Sequence, residues 1–122
     1  MASKKIGKAR AMLEAHGLSL PEAWLDHPWG EKALKVKKKV FVFLGPEDAK
    51  ELRFSVKLPA SCTEALARDD AEPTGYGLGR SGWVSFAISA SNLPKDDVLI
   101  DWLEESYQAV APKKLAKLLE PE

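Results

Sequence analysis

Five lysines fall within eight residues, Lys32, Lys35, Lys37, Lys38 and Lys39. Ammonium groups at that density can engage phosphate oxygens, each contact releasing condensed counterions. Lysines at a turn and on an edge strand also keep that edge soluble and unpaired, and this plainer role is the more ordinary one. Lys4, Lys5, Lys8 and Arg10 would extend the basic patch if they pack on the same side. Further along, Arg80 and Trp83 frame the tip of the glycine-rich stretch GYGLGRSG. An exposed indole beside a guanidinium can stack on a base, although a Trp opening a strand more often packs in the core. The glycine run lacks the spacings of phosphate loops and precedes a strand instead of a helix, which argues against a nucleotide cradle.

Asp26, His27 and Trp29 come nearest to an active site. Adjacent Asp and His suggest an acid–base pair, but consecutive residues seldom aim their side chains at each other, and no Ser or Cys nucleophile is identifiable beside them. A structural turn, with Trp29 plugging one end of the core and His27 bonded to backbone, is the preferred reading. Tyr76 is noted with them as a ligand-contacting or structural residue. His16 lies on the apolar stripe of a helix with no second ligand at i+3 or i+4, so a core-edge histidine is expected. Asp69 with Asp70, and Glu104 with Glu105, look like solvated helix ends and faces. No catalytic residue, metal ligand or cofactor site is assigned.

The elements that must position these residues follow from periodicity. Apolar positions at helical spacing predict a helix over 3–16, with Gly17 as its stop. Residues 18–30 carry two prolines and are expected to be irregular. Residues 31–36 and 39–44 read as strands joined by a two-residue turn at Lys37 and Lys38. In the second strand Val40, Val42 and Leu44 are expected on one face and Phe41 and Phe43 on the other. ELRFSVKL alternates as a half-buried strand, and a short helix is expected over 60–68. A second hairpin is expected from Thr74–Arg80 and Trp83–Ser89, turning at Ser81 and Gly82. A helix starting near Pro94 buries Leu99, Trp102, Leu103, Ser106 and Val110, and a short tail helix follows Pro112. The fold class is therefore α+β: an antiparallel sheet of about five strands packed by N-terminal, middle and C-terminal helices.

The 122 residues suit a single domain. Lys and Arg balance Asp and Glu at 18 each, yet residues 1–57 carry a net +5 and residues 58–122 a net −5, from 12 basic against 7 acidic and 6 against 11. A nonspecific duplex binder ordinarily carries a basic excess, which this neutral chain lacks. The one cysteine, Cys62, excludes an intrachain disulfide and reads as a structural thiol. With no signal-like segment and no apolar run of membrane-spanning length, a cytoplasmic protein without a membrane partner is expected.

LDHPWGEKALKVKKKVFVFL, LRFSVKL, PTGYGLGRSGWVSF and LPKDDVLIDWLEESYQAV resemble, in that order, the signature blocks of the MmcQ/YjbR family of small bacterial proteins, over roughly residues 18–111. The resemblance implies an α+β fold likened to type III secretion chaperones, described as carrying a double-wing DNA-binding motif whose wings would be the two hairpins. Two departures stand out. Lys37 and Lys38 replace a turn that usually contains glycine, and Gly77, Gly79, Ser81 and Gly82 occupy a hairpin that often carries His, Asn, Lys and Arg. The reading adopted is a non-enzymatic module binding nucleic acid through Lys35, Lys37, Lys38, Lys39, Arg80 and Trp83. The alternatives are a protein-interaction module of chaperone-like fold and, more weakly, an enzyme or small-ligand binder using His27 and Trp29.

Overall fold

A computed structural model describes residues 4–27, 31–46, 49–75 and 77–119. Trp29 and Tyr76, singled out above, lie outside these residues. Helix α1 (Lys4–Ser19) is followed by strands β1 (Ala23–Asp26), β2 (Lys32–Val36), β3 (Lys39–Leu44) and β4 (Leu52–Lys57), then helix α2 (Cys62–Leu66) and strands β5 (Ala71–Pro73) and β6 (Trp83–Ile88). Helices α3 (Asp96–Val110) and α4 (Lys113–Ala116) complete the order. The strands form one six-stranded sheet in the order β1-β2-β3-β4-β6-β5, with every neighbouring pair antiparallel. Among the described residues no helix is long and apolar enough to cross a membrane.

The sheet thus has six strands instead of about five. β1 lies in the segment expected to be irregular, and it pairs along its full length with β2, from Ala23↔Val36 to Asp26↔Ala33. Pairing with a neighbour supplies what this four-residue strand is too short to show as a pattern. The second expected hairpin is also different. Its first arm is the three-residue β5, and Leu78–Ser81 forms a 3-10 turn where strand was expected. Gly77 and Gly82 bracket that turn at φ 80° and 91°, values glycine adopts without steric cost. The middle helix is shorter than expected, and α1 continues through Gly17 to Ser19. Gly17 is a close-approach position: a Cβ there would collide with Leu34 Cδ1.

One face of the sheet carries α1 and α3. Leu52, Phe54 and Val56 of β4 alternate inward and join Val84, Phe86 and Ile88 of β6 in the core, together with Leu99, Leu103 and Tyr107 of α3. Phe54 stacks on Phe86 at 4.8 Å, and Phe86 on Trp102 of α3 at 4.5 Å. Each fully buried Leu, Ile or Phe contributes roughly 2 kcal/mol of transfer free energy, so this face anchors the fold. Arg68 caps the stack, with its guanidinium 5.8 Å from the Trp102 ring and bidentate on Asp70 at 2.8 and 2.9 Å. Cys62 packs against the core, as a structural thiol should.

Strict alternation fails in β3. Lys35 pairs with Val40 and Leu34 with Val42, so Phe41 is the extra residue of a β-bulge. The bulge brings Phe41 onto the same side as Val42, where both are fully buried. Phe41 meets the edge of the Tyr107 ring at 5.3 Å. Phe43 stays on the opposite face, tilted against Trp83 at 5.6 Å. The expectation that Phe41 and Phe43 share a face is therefore overturned by one unpaired residue.

Candidate nucleic-acid interface

The antiparallel register decides which of the sequence's basic residues can act together. The β2–β3 turn leaves the sheet after Val36↔Lys39, β3 and β4 pair no further than Val42↔Val56, and β4 closes on β6 at Lys57↔Trp83. Lys37, Lys38 and Lys39 therefore share one end of the sheet with Lys57 and with the 3-10 turn that carries Arg80. Lys57 was not singled out from sequence, because in ELRFSVKL it reads only as the polar half of an alternating strand.

Beyond Val42↔Val56 the two central strands part. Ser106 of α3 enters the gap: its hydroxyl donates to the carbonyl of Phe41 and accepts from the backbone N–H of Lys57, the latter at 2.8 Å. Ser106 is fully buried, so these bonds satisfy backbone groups that the separated strands cannot offer each other. Above this bridge lies a cleft of about 320 Å³ lined by Lys39, Val40, Phe43, Lys57, Leu78, Trp83, Ala109 and Val110. Its lining combines Phe43 and Trp83 from the outer face of the sheet with the last turn of α3 from the inner one. The floor is aromatic, and a lysine stands on each of the two parted strands.

The expected site residues divide accordingly. Lys39 and Trp83 line the cleft. Trp83 is only 8% exposed, the packing expected more often of a Trp that opens a strand; β6 holds it as floor, packed on Phe43. Arg80 is exposed on the same turn as Leu78 and does not line the cleft. Lys38 is exposed at the hairpin tip. Lys35 is committed elsewhere: its Nζ lies 2.6 Å from Asp26 Oδ2 and 5.3 Å from the Trp24 ring centroid. Lys37 Nζ meets Glu22 Oε1 at 2.6 Å. Among the described residues no ion pair occupies the ammonium groups of Lys38, Lys39 or Lys57.

The N-terminal lysines do not extend this patch. Lys5 and Lys8 line a separate cavity with Met12, Leu93 and Asp96 at the start of α3. The cleft sits at the end of that 15-residue helix, roughly 20 Å away at 1.5 Å per residue. Arg10 is buried, and its Nε donates to the Gly45 carbonyl at 3.0 Å.

Asp26 and His27 lie at the far end of β1, away from the lysine turn. The Lys35 ammonium, and after it the His27 backbone N–H, hold the Asp26 carboxyl below the usual carboxylate range. Asp26 Oδ1 accepts that N–H at 2.8 Å, so Asp26 is engaged by Lys35 and by backbone rather than by the imidazole. His27 borders a cavity of about 320 Å³ with Arg10, Glu31, Lys32, Leu44, Gly45 and Pro46. His16 sits at the core edge, but with a partner no local spacing could reveal: its Nε2 lies 2.7 Å from Glu104 Oε2. Glu104 and Glu105 are not merely solvated, since Glu105 accepts from the Ala60 and Ser61 N–H groups and from the Ser61 hydroxyl.

Acidic residues gather at the opposite end of the sheet. Glu51, Asp69, Asp70 and Glu72 line a groove of about 440 Å³ with Arg53 and Ser89. A family model described as YjbR matches residues 18–109, which takes in the whole sheet and every cleft residue except Val110. No curated protein matches the chain.

Proposed function

The chain belongs to the YjbR family, and on that premise we propose that it is a non-enzymatic module binding nucleic acid at the end of the sheet where Lys38, Lys39, Lys57 and Arg80 gather. The observation that carries this reading is the cleft flanked by Lys39 and Lys57. Cations that no carboxylate occupies bind phosphate at little desolvation cost and gain the entropy of released counterions. Lys35 and Lys37 contribute less than the sequence suggests, because Asp26 and Glu22 already neutralise them. The commitment of Asp26 to Lys35 likewise weakens the case for acid–base chemistry at His27.

Among the described residues the exposed large apolar side chains, Leu18, Trp24, Leu66, Val98 and Leu118, are spread over five separate elements. Within the described residues that distribution offers a protein partner no single apolar face, which favours the nucleic-acid reading.

Fluorescence anisotropy with labelled oligonucleotides at two salt concentrations tests the proposal. The wild type should bind in a salt-dependent manner at micromolar protein. Lys38→Glu/Lys39→Glu/Lys57→Glu should weaken binding and flatten the slope of log K against log salt by about one per lost contact. Salt-independent binding, or an unchanged triple variant, would sink the reading.

A further inference from the structure

We propose that the cleft between β3 and β4 receives one unpaired base, so that the nucleic acid this protein favours is single-stranded. The inference rests on the nucleic-acid reading above and adds the class of ligand.

A duplex would present phosphates to Lys39 and Lys57 but nothing to fill the space between them, since its bases are stacked and show only their edges in the grooves. The cleft is built for something else. Phe43 and Trp83, 5.6 Å apart and inclined at 52°, form an apolar floor, and Leu78 and Val110 supply walls. At about 320 Å³ it lies at the small end of the range for ligand sites, roughly 300 to 1,000 Å³, which suits one planar heterocycle. An unpaired base carries an apolar π-face between two phosphates. One lysine on each parted strand lets those flanking phosphates meet separate ammonium groups. Ser106 occupies the place of the missing rung between the strands, so the cleft stands open without a ligand.

Three probes of equal length, measured by anisotropy at low salt, test the inference: an oligothymidine, the same sugar–phosphate chain with central abasic sites, and a duplex. The intact single strand should bind about tenfold tighter than the abasic chain, the usual range for stacking one base. Val110→Trp, which fills the cleft from the helix side and leaves both lysines in place, should abolish that preference while abasic binding persists. Should Val110→Trp fail to give the wild-type melting profile, Leu78→Asn on the 3-10 turn serves the same purpose by making the wall polar without adding charge beside the lysines. Equal affinity for intact and abasic strands, or preference for the duplex, overturns the base-binding cleft and leaves the nucleic-acid reading standing. Failure of every probe to bind overturns both.

Discussion

Glu22 and Lys37 are both held at positive φ, 58° and 57°, and their side chains meet at 2.6 Å. They occupy the position one step beyond Ala23↔Val36, the last paired residues of β1 and β2. Between them the Trp24 indole donates to the Lys37 carbonyl at 2.8 Å. The turn that carries the lysines is thereby pinned to the edge strand, and one of its cations is spent on the pinning. A resemblance that places a glycine-containing turn here finds its physical counterpart in the Lys37 backbone, which adopts a conformation that glycine accepts and lysine resists.

Lys37→Gly and Lys37→Ala both delete the ion pair, so their difference isolates the backbone. Gly should be the more stable of the two by about 1 kcal/mol, because Ala retains the Cβ that crowds the left-handed region. Urea denaturation of both variants measures this, and an Ala variant equal to or better than Gly would refute it. A double-mutant cycle between Glu22→Ala and Lys37→Ala should return a coupling below about 1 kcal/mol that vanishes at high salt.

Ser106→Ala should cost about 1 to 3 kcal/mol, since it strands the buried Phe41 carbonyl and Lys57 N–H rather than removing both partners of a bond. The loss should appear in the denaturation midpoint. A neutral substitution would mean that β3 and β4 can close on each other without the serine.

Replacing a glycine inside a helix by alanine ordinarily gains about 1 kcal/mol. Gly17→Ala should instead lose about 1 kcal/mol net, because the new methyl meets Leu34, a fully buried side chain without room to retreat. Thermal melting distinguishes the two signs directly.

Stability should fall at the alkaline end. Burial, and secondarily the Glu22 carboxylate, push the Tyr107 hydroxyl above its ordinary value of 10.0, and its O–H donates to the Pro21 carbonyl at 2.6 Å. The native state then holds this proton more tightly than the unfolded chain does. The stabilisation is complete below the ordinary value and is lost as pH rises from it through the folded one. Tyr107→Phe should remove that slope while costing about 1 kcal/mol for the lost bond. Asp26 acts in the opposite sense at the acid end. Its lowered value makes its contribution complete above the ordinary 3.8 and lost as pH falls through the folded value. Denaturation midpoints across pH check both limbs, and an unchanged alkaline slope in Tyr107→Phe would count against the assignment.

The amino-acid sequence by itself determined the elements whose signal is local. The two-residue turn at Lys37 and Lys38, the alternating strand from Leu52 and the stripe of Leu99, Leu103 and Ser106 on α3 are written in spacings of two and of three or four residues, which any window of the chain displays. Tertiary structure decided what depends on distant partners. β1 is a strand because β2 lies beside it, and Phe41 turns inward because register slips by one residue against Leu34 and Lys35. Tyr107 is core because it reaches Pro21 across the fold. The same holds for function: five lysines form a run in the sequence, but Glu14, Asp26 and Glu22 pair with three of them, and Lys57, Phe43 and Leu78 join Lys39 only where β3 and β4 part. Charge pairing and cleft formation are properties of groups brought together by folding, and no spacing along one strand records them.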